Sequence, residues 1–145
     1  MVKVLVKKLD PSVKLPEYKT EGASGMDLVA FIDETIIIRP KTSALIPTGL
    51  SVAFSEDYEI QIRPRSGLAV KNNISVLNTP GTIDSDYRGE IKVIIFNHSN
   101  NDFTVNNGDR IAQMVLAPIM KMELEEAKNL PQTIRGKGGF GSTGK

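Results

Sequence analysis

Asn78-Thr79-Pro80-Gly81-Thr82-Ile83-Asp84-Ser85-Asp86-Tyr87-Arg88-Gly89-Glu90 lies between two apolar, β-prone runs, residues 74–77 and 91–96. The arrangement reads as a polar hairpin between two strands. Pro80-Gly81 marks a turn. Thr82 and Ile83 are β-formers. Asp84 and Asp86 alternate around Ser85, and in an extended chain alternate side chains share a face. An aromatic, Tyr87, and a cation, Arg88, follow at once, and Gly89 lets the backbone turn. Such a segment is poor core and good material for a polar ligand. A surface hairpin with solvated charges is the plain alternative.

The rest of the chain repeats the strand–turn alternation. Residues 2–7 alternate lysine with apolar residues, a period of two. Glu21-Gly22-Ala23-Ser24-Gly25-Met26-Asp27-Leu28 leads into a strand over 28–32, with Asp27 where loop becomes strand. Short β-prone runs follow at 36–38, 43–46, 50–54 and 58–62, closed by Arg39-Pro40, Pro47-Thr48-Gly49 and Ser55-Glu56-Asp57. Residues 64–72 are the one interior stretch fit for a helix, with Ser66 as its N-cap. Further strands are expected at 103–105, 111–116 and 119–124, with a tight turn at Asn106-Asn107-Gly108-Asp109. Residues 123–128 have weak helical character. Short strands divided by turn signals every eight to twelve residues predict an all-β sandwich or barrel.

Composition narrows the classes. A chain of 145 residues fits one domain and can bury a core without staples. The net charge of +1 argues against a polymeric nucleic-acid partner and leaves room for a local anion site. With no cysteine there are no disulfides, thiol nucleophiles or cysteine-ligated zinc. The apolar run within the first eight residues is too short for a signal peptide or a membrane span. An intracellular protein is expected. His98, in an Asn/Ser turn, is expected at the surface.

The last residues differ. Arg135-Gly136-Lys137-Gly138-Gly139-Phe140-Gly141-Ser142-Thr143-Gly144-Lys145 is glycine-rich and expected to be mobile alone. Yet Phe140 is an aromatic inside a glycine run, flanked by cations. Glycine-rich backbone can approach a phosphate closely, and an aromatic on such a lid can stack on a base. The segment does not match the phosphate-loop motif, which opens a helix.

Five segments recur in a recognisable order: Ala23-Ser24-Gly25-Met26-Asp27-Leu28, Arg65-Ser66-Gly67-Leu68-Ala69, the segment 78–90, Gly108-Asp109-Arg110-Ile111-Ala112-Gln113-Met114, and residues 135–144. Together they resemble the homotrimeric dUTPase family over nearly the whole chain. The resemblance implies an all-β, distorted jelly roll (β-clip, dUTPase-like) with one short helix and a flexible glycine-rich C-terminal arm. It implies a single domain over 1–145, with a body at 1–128 and an arm at 129–145. It also implies a homotrimer with active sites at subunit interfaces. Eleven steps from Asn129 to Phe140 span up to about 36 Å when extended, so the arm can reach a neighbour.

The implied reaction is dUTP and water to dUMP and pyrophosphate, with water attacking the α-phosphorus. By resemblance Asp84 orients and activates the water, with Gln113 at an α-phosphate oxygen and Asp27 as a supporting carboxylate that can pair with Arg65 or Arg110. Arg65, Ser66 and Gly67 bind phosphate. Asn78, Gly81, Thr82, Ile83 and Tyr87 form the nucleoside pocket, with the hairpin backbone pairing to uracil and Tyr87 packing on the sugar to exclude a ribose 2′-hydroxyl. Cytosine in that pocket leaves polar groups unpaired, at a cost of about 1–3 kcal/mol. Phe140 and Gly141 close over the base, and Arg135, Ser142 and Thr143 take the outer phosphates. Mg²⁺ is held through the triphosphate, with no direct protein ligand. Asp86, Glu90 and Asp109 are structural or supporting carboxylates. No membrane or nucleic-acid polymer is implied. Two alternatives remain open at this point: a dCTP deaminase on the same fold, and a non-catalytic jelly-roll protein that binds nucleotide.

Overall fold

The computed structural model describes residues 1–142. These contain eleven strands and one helix: β1 Leu5–Lys8, β2 Met26–Val29, β3 Ile36–Ile38, β4 Ser43–Pro47, β5 Leu50–Ala53, β6 Tyr58–Arg63, α1 Ser66–Asn72, β7 Ile74–Val76, β8 Gly81–Ile83, β9 Lys92–Asn97, β10 Phe103–Val105 and β11 Arg110–Pro118. They assemble into a four-stranded sheet β2-β11-β6-β8, a three-stranded sheet β4-β9-β7, and the pairs β1-β5 and β10-β3. All pairings are antiparallel. The architecture is the all-β, jelly-roll-like one that the strand spacing predicts.

Alternation of side chains builds the core. Along β9, Val93, Ile95 and Asn97 are buried while Lys92 is exposed, the period-two pattern of a strand with one face inward. Leu28, Ile38, Ile46, Ile74, Ile91, Ile111 and Val105 join the same buried cluster. Thirteen of its seventeen members are Val or Ile, which suit pleated, half-buried surfaces. Asn97 is one of three buried polar residues, with Thr48 and Ser51. Its amide donates to the Ile38 and Asn101 carbonyls, so its burial leaves no donor unmet.

The segment 78–90 is not a closed hairpin. Its stem is real, since β7 and β9 pair from Ile74↔Asn97 to Val76↔Ile95. Between them the chain turns at Leu77 and Asn78, crosses to the other sheet, and pairs Gly81–Ile83 with β6. The loop thus stitches the two larger sheets together, and β8 becomes an edge strand.

Four local expectations are corrected. Asp84 and Asp86 do not alternate along a strand: Ser85 and Asp86 form a turn closed by the Tyr87 N–H to the Asp84 carbonyl, 3.1 Å. Ser66 is the first helical residue, while Arg65 occupies the N-cap without a side-chain capping bond. Its side chain is drawn instead to Asp27. Asp27 lies inside β2, not at its margin. Residues 119–124 form no strand and 123–128 no helix. Among the described residues no strand pairs with them, and Met120, Met122 and Leu124 stand exposed.

Candidate active site

The four-stranded sheet places the polar residues in register. Asp27 on β2, Gln113 on β11 and Arg63 on β6 lie side by side across three strands. Asp27 is the hub of an ion-pair fork. Its Oδ1 accepts from Arg65 Nε at 2.8 Å, and Arg110 Nη1 lies 3.4 Å from its Oδ2. Asp27 and Arg65 are only about one-fifth exposed, so solvent screens this pair less than an ordinary surface contact. Arg110 is more exposed. The carboxylate orients two guanidinium groups at the start of α1.

Gln113 is aimed by its neighbours. Its amide donates to the Pro64 carbonyl at 3.0 Å. Its Oε1 fills the space above Gly25, where a Cβ would sit 2.7 Å from it. Glycine at 25 therefore leaves room for the amide. At Gly67 nothing lies within 4 Å of a would-be Cβ. Packing within the chain does not require glycine there, and the backbone of Ser66 and Gly67 is open to approach. The first helical bond joins the Ala69 N–H to the Arg65 carbonyl, so the N–H groups before it are spare.

The second group gathers around β8. The edge strand pairs with β6 through Gly81↔Ile62, Thr82↔Gln61 and Ile83↔Ile60. Asn78 packs against Gly81: a Cβ there would meet its amide nitrogen at 3.4 Å and the Ile62 Cβ at 3.3 Å. Tyr87 folds back over Gly89. Its hydroxyl donates to the Glu90 carbonyl at 3.0 Å and occupies the space that a Gly89 Cβ would need. The Arg88 guanidinium donates to the Ser85 carbonyl at 2.6 Å and braces the turn. Asp84 is exposed in an open cleft of about 530 Å³ lined by Phe54, Glu56, Tyr58, Asp86, Arg88 and Lys121. Lys121 bonds Glu56 at 2.8 Å, and that carboxylate raises its pKa above the ordinary lysine value.

The two groups do not meet within one chain. Gln113 is level with Arg63 and Ile83 with Ile60. Three residue steps and two strand spacings put Gln113 and Ile83 about 14 Å apart, with Asp84 one residue further on. A third group is the arm, whose hydrogen bonds among the described residues lie within itself. Phe140 is fully exposed with a φ of 51°. Arg135 donates to the Gly138 carbonyl at 2.9 Å, and the Ser142 N–H to the Gly139 carbonyl at 3.0 Å. Gly141, at φ 83°, turns the chain beside Phe140. Thr143 lies outside the described residues. Among the described residues no three His, Cys, Asp or Glu side chains converge as a metal site. His98 is exposed, bonded to Ser75 at 2.7 Å and tilted against Phe96. Thr48 is the residue that sequence reading misses. In Pro47-Thr48-Gly49 it reads only as the stop of a strand, whereas its hydroxyl donates to the Ile91 carbonyl at 2.6 Å beneath the segment 78–90.

A family model described as dUTPase matches residues 11–144. The chain is 54% identical over 143 residues to the deoxyuridine 5'-triphosphate nucleotidohydrolase of Hydrogenobaculum sp., covering 99% of both chains. It is 53% identical over 146 residues to the one from Fusobacterium nucleatum, covering all of both. Its fold superposes on the dUTPase of Staphylococcus bacteriophage 80alpha with a TM-score of 0.87, at 26% identity over 99% of both chains. The order of motifs, the strand arrangement and these likenesses agree: the chain belongs to the dUTPase family.

Proposed function

We propose that the chain hydrolyses dUTP to dUMP and pyrophosphate by attack of water on the α-phosphorus, which keeps uracil out of DNA and supplies dUMP for thymidylate synthesis. The observation that carries this is the pairing of two specialised clusters on one sheet. One is an arginine-rich, amide-rich patch at Asp27, Arg65 and Gln113. The other is an edge strand with an adjoining exposed carboxylate, Asp84. The solved phage 80alpha dUTPase of the same fold is described as carrying dUPNHPP.

The chemistry follows from the residue types. Asp84 holds the attacking water and accepts its proton. Arg65, with the spare N–H groups and hydroxyl of Ser66 and the N–H of Gly67, takes phosphate oxygens. Gln113 Nε2 is the neutral donor for an α-phosphate oxygen, and Asp27 keeps Arg65 in line. β8 pairs with β6 along one side only, so the backbone groups of Gly81, Thr82 and Ile83 on the other side can pair with the edge of uracil, aided by Asn78. Tyr87 packs on the deoxyribose. Phe140 stacks on the base, and Arg135, Gly141, Ser142 and Thr143 close over the outer phosphates and exclude water.

The substrate is read as the Mg²⁺ complex of dUTP. The carboxylates at hand suit this: Asp27 is already engaged by two arginines, which favours an ion carried by phosphate oxygens and water over one caged by protein. When bound, the ion neutralises charge on the triphosphate. No side chain of this chain is assigned to it.

A homotrimer with shared sites completes the reading. Its support is the 14 Å scale of separation within one chain, too wide for Asp84 and Gln113 to serve one phosphorus atom. Unpartnered apolar surface points the same way. Leu45 and Leu77 stand more than half exposed on the outer face of β4-β9-β7, beside Ile94, the cross-strand partner of Leu45. Beyond β11, Met120, Met122 and Leu124 are exposed at alternate positions. No helix among the described residues is long and apolar enough to cross a membrane, and we place the enzyme with the nucleotide pool inside the cell.

Purified protein incubated with Mg²⁺ and dUTP, dCTP, dTTP or UTP separately tests the reading. Pyrophosphate from dUTP alone is expected. Ammonia from dCTP moves the assignment to a deaminase, and binding of dUTP without product makes the chain a nucleotide-binding protein.

A further inference from the structure

Through Glu90, the Tyr87 ring is tied to a turn outside the nucleotide segment. We infer that Thr48 and Glu90 are positioning residues for Tyr87 and, through it, set the discrimination between deoxyribonucleotide and ribonucleotide. The inference rests on the assignment of Tyr87 to the sugar.

Thr48 and Gly49 of the β4–β5 turn, with Leu50 at the start of β5, grip Glu90 and Ile91. The Thr48 hydroxyl donates to the Ile91 carbonyl at 2.6 Å. The Gly49 N–H donates to Glu90 Oε1 at 2.9 Å. The Ile91 N–H donates to the Leu50 carbonyl at 2.7 Å. Glu90 then acts in two directions. Its side chain reaches down to the turn, and its carbonyl accepts the Tyr87 hydroxyl at 3.0 Å. The phenol is thereby tied to the turn through one residue.

The turn is itself fixed. Thr48 is 1% exposed. The Leu9 N–H donates to the Gly49 carbonyl, and the Phe31 N–H to the Pro47 carbonyl, so segments that follow β1 and β2 both hold it. Gly49 has a φ of 70°, and a Cβ there would lie 2.6 Å from the Val13 Cγ2 and 3.0 Å from the Phe31 ring. Only glycine suits that position. The bond to Glu90 therefore comes from a backbone N–H with little freedom to move. Lys92, 3.8 Å from Glu90 Oε2, balances the charge of the carboxylate.

Excluding a 2′-hydroxyl is a steric task, and steric tasks need a wall that does not yield. An oxygen in place of a hydrogen is accommodated by a displacement of about 1 Å, so a ring held less firmly than roughly 0.5 Å loses selectivity. The hydrogen bond from Tyr87 to a carbonyl that is tethered one residue later supplies that firmness. Gly89 has no side chain, so the ring can lie flat along the link.

The test compares kcat/KM for dUTP and for UTP, with thermal unfolding, in wild type, E90A, E90Q and T48V. In E90A and T48V the UTP-to-dUTP ratio of kcat/KM is expected to rise about tenfold, the scale of one lost hydrogen bond, with KM for dUTP rising more than kcat falls. E90Q keeps an oxygen acceptor for the Gly49 N–H and is expected to retain the wild-type ratio. Should E90A not fold, E90D, whose carboxylate is one methylene too short to reach Gly49, is expected to give the same rise. A lowered Tm with an unchanged ratio in E90A and T48V overturns the positioning role, as does E90Q behaving like E90A. A wild-type chain that accepts UTP as readily as dUTP overturns the assignment of Tyr87 and this inference with it.

Discussion

Asp84 is a carboxylate that accepts and Gln113 a neutral amide that donates, and substitution separates their tasks. D84N keeps the size of the side chain and removes the proton acceptor. Its kcat is expected to fall by about 10²- to 10⁴-fold, with dUTP binding by calorimetry retained. Retained turnover would remove Asp84 from the chemistry. Gln113 is best tested through Gly25. In G25A the new methyl group meets Gln113 Oε1 at 2.7 Å, and the amide swings away. A fall of about tenfold in kcat/KM for dUTP is expected, the scale of one misplaced donor, together with a lowered Tm, because the methyl also crowds Val115 Cγ2 at 3.1 Å and the Met114 carbonyl at 3.2 Å. Gln113 stands out in the sequence because a polar residue interrupts an apolar strand there, whereas Asp27 reads as a strand margin and lies inside β2, and Asp84 stands out only within the whole run of motifs. What draws Arg65 to Asp27 is 38 residues distant, and no local pattern around Ser66 reveals that the cap position is empty of a side-chain bond.

The strands were legible wherever a β-branched run ended at Pro, Gly or Asn, as at Ile36–Ile38 and Phe103–Val105. Their partners were not. β3 pairs with β10, some 65 residues later, and the crossing of β8 from the β7–β9 stem to β6 is decided by long-range pairing. Residues 119–124 mark the limit of pattern reading: the apolar alternation is strand-like, yet a strand exists only where a second strand offers its backbone. Within the three-stranded sheet, Ile95 is wholly buried on the central strand β9. I95A is expected to cost about 2–5 kcal/mol of stability. Urea unfolding at fixed protein concentration measures it, and fixing the concentration matters because assembly adds to apparent stability.

At the scale of the whole molecule the arm and the assembly are separable. Deleting residues 135–145 is expected to leave the oligomer and its Tm intact, since the described part of this segment hydrogen-bonds only within the arm. Turnover of dUTP is expected to fall severely. Light scattering reports the first outcome, expected at three times the mass of the chain, and pyrophosphate release the second; near-normal turnover in the truncated protein contradicts the lid. The distance between Gln113 and Asp84 along the sheet has a consequence in genetics. If no chain can build a site alone, damage is not a private property of the chain that carries it. Two lifeless alleles, D84N and a variant lacking Arg65, would complement when co-expressed, because mixed assemblies contain sites that draw an intact half from each. The same arithmetic makes either allele partly dominant over a healthy one, since every mixed assembly lends its defective half to a sound neighbour.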